Sequence, residues 1–132
     1  MLLRALLFCP ILFLSAAVAI AQPCVQVRTS PERIDCMHFT EAEKANAESY
    51  GLQLGEPYTR VRRHLLSSGW RPDPNWASEV GSANAPDGLV CGRGLDAACS
   101  SALVRADRRV ILHLSAVNSS LPLTGIEEEP AR

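Results

Sequence analysis

The stretch LGEPYTRVRRHLLSSGWRPDPNW, Leu54 to Trp76, encodes a helix together with both of its stops. Gly55 suits a turn, and Pro57 has the fixed φ that fits a first helical position. Tyr58, Val61 and Leu65 recur at i, i+3 and i+7, with Leu66 beside them, so one face of the helix is apolar. Arg60, Arg62, Arg63 and His64 occupy much of the remaining circumference. Gly69 stands where a helix turns left-handed to end. Pro72 drives Arg71 out of helical geometry, so Trp70 enters an extended segment and is expected to fold back onto the stripe as scaffold. An amphipathic helix of this kind needs a second layer to cover its apolar face.

That layer is expected downstream. Ser101 to Ala106 and Arg109 to Val117 are rich in Val, Leu and Ile at period two, and Asp107-Arg108 separates them, which predicts a hairpin. Val110, Leu112, Leu114 and Ala116 share one face, and Ile111, His113, Ser115 and Val117 the other. Leu121 to Ile126 supplies a third strand. One main helix on an antiparallel sheet of about three strands is an α+β fold. Arg71 to Leu89 is rich in Pro, Asp, Asn, Gly and Ser and is expected to be a long loop, the kind of segment that is functional or poorly ordered. Trp76, placed in it, is a candidate partner-binding anchor.

The start of the chain has a different character. Met1 to Arg4 supplies a short positive segment, Ala5 to Ile20 carries no charge, and Ala19-Ile20-Ala21 ends on small residues, a secretory signal layout with cleavage expected between Ala21 and Gln22. A retained membrane helix is the competing reading, disfavoured by that small-residue end and by Pro10. Cys24 follows Ala21-Gln22-Pro23, which does not form a lipobox. The expected organisation is a signal peptide over 1–21, an irregular or partly helical lead-in over 22–53, one α+β domain over 54–127 and a frayed tail over 128–132. Within the lead-in, Thr40 and Glu43 form a capping-box pattern that opens a helix from about Glu41 to Tyr50, closed by Gly51.

Five cysteines are present, and Cys9 would leave with the signal. Cys24, Cys36, Cys91 and Cys99 remain, an even count that in an oxidising compartment means two disulfides. Three connectivities are open, and loop-closure entropy favours Cys24 with Cys36 and Cys91 with Cys99. A zinc site using these cysteines with His38 lacks any C-x-x-C pair. Thirteen basic residues, one of them Arg4, stand against 14 acidic ones, a balance that does not suggest nucleic acid. His38, His64 and His113 lack metal spacing, and no G-x-S-x-G, H-E-x-x-H or phosphate-loop pattern occurs. No catalytic residue, cofactor or metal ligand is therefore assigned, with a small hydrolase using His64 or His113 ranked last. Arg93, in the turn pinched by Cys91 and Cys99, is the second candidate contact residue.

Gly55, Tyr58, Arg62, Leu65 and Gly69-Trp70-Arg71-Pro72 together form G-x-x-Y-x-x-x-R-x-x-L-x-x-x-G-W-x-P, followed downstream by Cys91, Cys99 and a hairpin. This pattern resembles that of a family of small exported bacterial proteins. More distantly, it is similar to the helix-on-sheet domains of small outer-membrane assembly lipoproteins. The resemblance spans Leu54 to Ile126 and implies the helix-and-sheet fold but no activity. Ser100-Ser101-Ala102 departs from it where an aromatic strand is expected, and so does the missing lipobox. The missing catalytic constellation, beside a stapled scaffold with a long loop and exposed strand edges, is what points to an unidentified protein partner in the envelope or outside the cell, with a secreted inhibitor acting through the Cys91–Cys99 turn as the alternative. Exported protein should begin at Gln22 and contain no reactive thiol, which intact mass and thiol titration would check; a chain retaining Met1 or two free thiols would remove the basis for both compartment and staples.

Overall fold

The computed structural model describes residues 24–30, 33–81, 85–92, 98–116 and 119–132. The signal segment and Arg93 lie outside the described residues. Strands β1 (Val25–Ser30) and β2 (Arg33–Met37) form an antiparallel hairpin, followed by helices α1 (Glu41–Ser49) and α2 (Tyr58–Ser67). After these come β3 (Arg71–Pro72), the single-turn α3 (Trp76–Glu79), a 3-10 turn at Pro86–Gly88 and β4 (Val90–Cys91). The long strands β5 (Ala98–Arg105), β6 (Arg108–Ser115) and β7 (Leu123–Pro130) complete the chain. The main sheet is antiparallel in the order β3-β5-β6-β7, with β4 also on the outer edge of β5. The architecture is therefore α+β, built on two short edge strands besides the three long ones.

Both long helices stop by the same device. In α2, the Trp70 N–H donates to the Leu65 carbonyl (3.1 Å) and the Gly69 N–H to that of Leu66 (3.1 Å), with Gly69 at φ 86°. In α1, Leu52 and Gly51 repeat the pattern onto Ala47 and Glu48. These are Schellman closures, which satisfy the last carbonyls and require a left-handed residue at the turn. Thr40 and Glu43 form the reciprocal capping box, with the Thr40 N–H donating to the Glu43 carboxylate at 2.7 Å. Pro57 is the N-cap of α2 in extended geometry, not its first helical residue. It is held there because the segment before α2 is hydrogen-bonded to the start of β7, Gly55 N–H to the Leu123 carbonyl and Leu123 N–H to that of Glu56.

Tyr58, Val61 and Leu65 are buried against Leu103, Val110, Leu112, Leu114 and Leu123, so the apolar stripe and the even-numbered face of β6 are partners. Tyr58 Oη and Ser101 Oγ share a buried hydrogen bond of 3.0 Å. Ser101 thus has a physical role, because it satisfies the tyrosine hydroxyl that the core would otherwise strand. Trp70 is only 2% exposed, with Tyr50 edge-on at 6.1 Å and the Arg105 guanidinium 4.6 Å from its ring centre. It is scaffold.

Four expectations need correction. The lead-in before His38 is a hairpin, not irregular chain, and Cys24 is bridged to Cys36 at its open end. The hairpin turn of the main sheet is Ala106-Asp107, with Arg108 already paired in β6. The segment from Arg71 is not a long loop, since β3, α3 and the 3-10 turn punctuate it. The acidic tail does not fray. Glu127 to Glu129 are paired in β7, and Glu128 takes both a hydrogen bond from Arg108 Nε at 2.6 Å and an ion pair with Arg108 Nη2. Arg108 holds the Glu128 carboxyl down at about 2, aided by the Tyr50 hydroxyl. Leu65→Asp should unfold the domain by placing a charge in the core, whereas Arg63→Asp should change stability by no more than about 0.5 kcal/mol. Urea denaturation of the two variants checks this, and equal effects would mean the helix faces are misassigned.

Candidate functional site

Period two decides what the back of the sheet must solve. Val110 and Leu112 face α2, so Arg109 and Ile111 face the opposite side. Arg109 is 1% exposed there, and three elements bring carboxylates to it. Asp73, before α3, pairs with Nη2; Glu79 of α3 accepts from Nη1 and Nη2 at 2.8 Å each; Glu129 of β7 accepts from Nη1 at 2.8 Å. The Trp76 ring lies over the guanidinium, 5.8 Å from its carbon. Hydrogen bonds from Arg109 lower the Glu79 carboxyl below the ordinary carboxylate range, and the same partners raise Arg109 itself.

This cluster fixes the segment that follows α2. The Asp73 N–H donates to the Ala102 carbonyl at 3.0 Å, and Asp73 Oδ1 accepts from the Asn75 N–H at 2.9 Å, an Asx turn that sets up α3. Gly88 approaches the Asp73 carbonyl closely enough that a Cβ at that position would lie 3.6 Å from it. Trp76, the candidate partner-binding anchor, is half-buried against Arg109. The polar composition of its surroundings hid this, because the partner is a cation from a strand thirty-three positions away.

On the helix side, the turn at Pro86–Gly88 forms one wall of a cleft of about 510 Å³ whose other wall is α2. Thr59, Arg62, Arg63 and Leu66 contribute from the helix at i, i+3, i+4 and i+7, a second stripe beside the buried one. Leu89 and the edge of Tyr58 complete the apolar lining, and Asp87 stands opposite Arg62 with 3.7 Å between charged atoms. Asp87 adopts φ 56°, a left-handed conformation that Asp accepts more readily than most residues. Beyond Leu89 the chain enters β4, where Cys91 is directly opposite Cys99 and bonded to it. The cleft wall is thereby anchored at its far end. The sequence placed Arg62 and Arg63 on the solvated face but offered no sign that residues 87 to 89 would come alongside them.

Other candidates fall into place separately. His64 Nε2 is 2.9 Å from the Tyr50 carbonyl and ties α2 to the end of α1. His113 is exposed on the back face, 3.4 Å from Glu127. Among the described residues no cluster of three His, Cys, Asp or Glu side chains is arranged to hold a metal ion, and no helix is long and apolar enough to cross a membrane. No protein-family model, curated protein or solved structure matches the chain.

Replacing Arg109 with Met leaves Asp73 and its neighbours without their counter-charge and should cost about 3–5 kcal/mol near neutral pH. The contribution of Glu79 is present above the range where an unfolded carboxylate ionises, near 4.5, and is lost as pH falls through its lowered folded value. The gap in stability between wild type and Arg109→Met should therefore narrow in acid, as measured by urea midpoints from pH 7 to pH 3. A gap independent of pH would show that Arg109 acts through packing alone.

Proposed function

We propose that the chain is an exported, non-enzymatic module that works by binding another protein, in the periplasm or outside the cell, and that the α2 cleft is its contact surface. One observation carries this reading: Arg62, Arg63 and Leu66 form an accessible mixed stripe on the same helix whose other face is locked into the core. A helix fixed on one side and lined for contact on the other is preorganised, which reduces the entropy lost on binding. The signal layout at Met1 to Ala21, the two disulfides and the resemblance to exported envelope domains support the compartment.

A second reading is a secreted inhibitor that presents the segment between Cys91 and Cys99. The bridge at directly opposed strand positions favours it, since it would hold the ends of that segment together. Site-specific photo-crosslinking in the native cell envelope separates the two. A benzoylphenylalanine at Thr59 should give a discrete crosslinked product that disappears with Arg62→Glu, while the same group at Glu41 should give none. Product from position 93 alone would favour the inhibitor, and equal product from all three positions would overturn a defined contact surface.

A further inference from the structure

The charge of the cleft is left open on one side. The carboxylates on the back of the sheet and along β7 are paired with their cations: Asp73, Glu79 and Glu129 with Arg109, and Glu128 with Arg108. Arg63 has no hydrogen-bond or ion-pair partner among the described residues. Among the described residues Arg62 has only Asp87, at 3.7 Å, beyond the reach of a good N–H···O bond, and the Asp87 side chain is 75% exposed. An ion pair that exposed contributes little. Asp87 thus stands at the rim as a weakly held carboxylate facing a guanidinium that can accept a better one. Beside the two guanidinium groups, Leu66 and Leu89 are half-buried and present apolar surface.

Helix geometry then sets a spacing. Four residues of α2 separate Arg62 from Leu66, a rise of about 6 Å. In an extended peptide, residues i and i+2 point to the same side about 6.6 Å apart. A carboxylate and an apolar side chain two positions apart would meet the arginine and the leucine together.

We propose that the α2 cleft binds an extended acidic peptide segment of the partner, in which a carboxylate displaces Asp87 from Arg62 and an apolar side chain two residues away packs between Leu66 and Leu89. This rests on the cleft being the contact surface. Arginine suits the role because its planar fork binds a carboxylate through two hydrogen bonds. The apolar lining favours a peptide over a phosphate-bearing ligand, which would leave Leu66 and Leu89 unused.

Selection of phage-displayed random dodecamers on the mature protein, followed by anisotropy titration of the selected peptides, tests the assignment. The selected sequences should share Asp or Glu two positions from an apolar residue. Arg62→Glu should weaken them by about tenfold or more, the scale of a lost charge-assisted pair. Arg62→Lys should recover part of the affinity, and matched melting curves would show both variants folded. Asp87→Asn should tighten binding several-fold, because it removes the internal competitor; a merely structural role for Asp87 would weaken it. Peptides carrying the carboxylate at a free C-terminus, compared with amidated ones bearing it on a side chain, distinguish the two sources. Neutral or basic peptides that are blocked by a bulky label on Thr59→Cys would overturn the carboxylate assignment and leave the contact surface standing. Selection of peptides insensitive to that label, failure to select any, or binding of inorganic phosphate with no peptide preference would remove both.

Discussion

A guanidinium cannot be buried without counter-charge, and Arg109 is buried on the face of the sheet that α2 does not cover. Satisfying it requires Asp73, Glu79 and Glu129, which belong to the segment before α3, to α3 itself and to β7. The consequence is organisational. A polar stretch that could not bury enough apolar surface to fold on its own is drawn across the back of the sheet and held there by ion pairs, one Asx turn and a half-buried indole. Gly88 lies beside the Asp73 carbonyl, so the turn that walls the cleft is next to this segment.

The same sheet is protected at its edges. The outer side of β5 is met by two strands of only two residues, β3 and β4. The outer strand β7 carries Glu127, Glu128, Glu129 and Pro130, and Asn46 of α1 donates to its Ile126 carbonyl at 2.7 Å. Short strands, charge and proline all discourage pairing with another chain. Strand addition at these edges is thus disfavoured, and the outer stripe of α2 offers a side-chain surface instead.

How much of this was legible follows from the range of each interaction. The α2 stripe, its Schellman stop at Gly69 and the alternation of Val110, Leu112 and Leu114 are local patterns, readable because helix and strand periods act within a few residues. Thr40 and Glu43 are three residues apart, so their capping box was visible too. Cys24 with Cys36 and Cys91 with Cys99 followed from short loops. What escaped was encoded across distance. Glu128 and Glu129 read as part of a frayed tail because their cations, Arg108 and Arg109, lie twenty positions earlier and become neighbours only through β6 and β7 pairing. The β1–β2 hairpin escaped because its register sets Val27 opposite Asp35, and Arg28 opposite Ile34, so no apolar code marks the pairing. The surroundings of Trp76 escaped likewise, because Arg109, over which its ring lies, comes from β6 and does not announce itself locally.

The cleft is built from unequal walls. One is α2, locked by Val61 and Leu65 into the core and closed at its end under Trp70. The other is a 3-10 turn followed by a two-residue strand, anchored at its far end by the Cys91–Cys99 bridge. Within that turn Asp87 has a left-handed backbone conformation, and among the described residues its side chain is paired with Arg62 alone, in an exposed ion pair. Local stability follows the density of buried contacts, so such a turn yields more easily than the helix opposite it. A rigid cationic wall facing an anchored but yielding acidic one is an arrangement in which an incoming carboxylate can take the place of Asp87 without disturbing the core. The buried ion pairs of Arg109 hold Asp73, Glu79 and Glu129 around the back face of the sheet, away from Arg62 and Arg63 on the helix side.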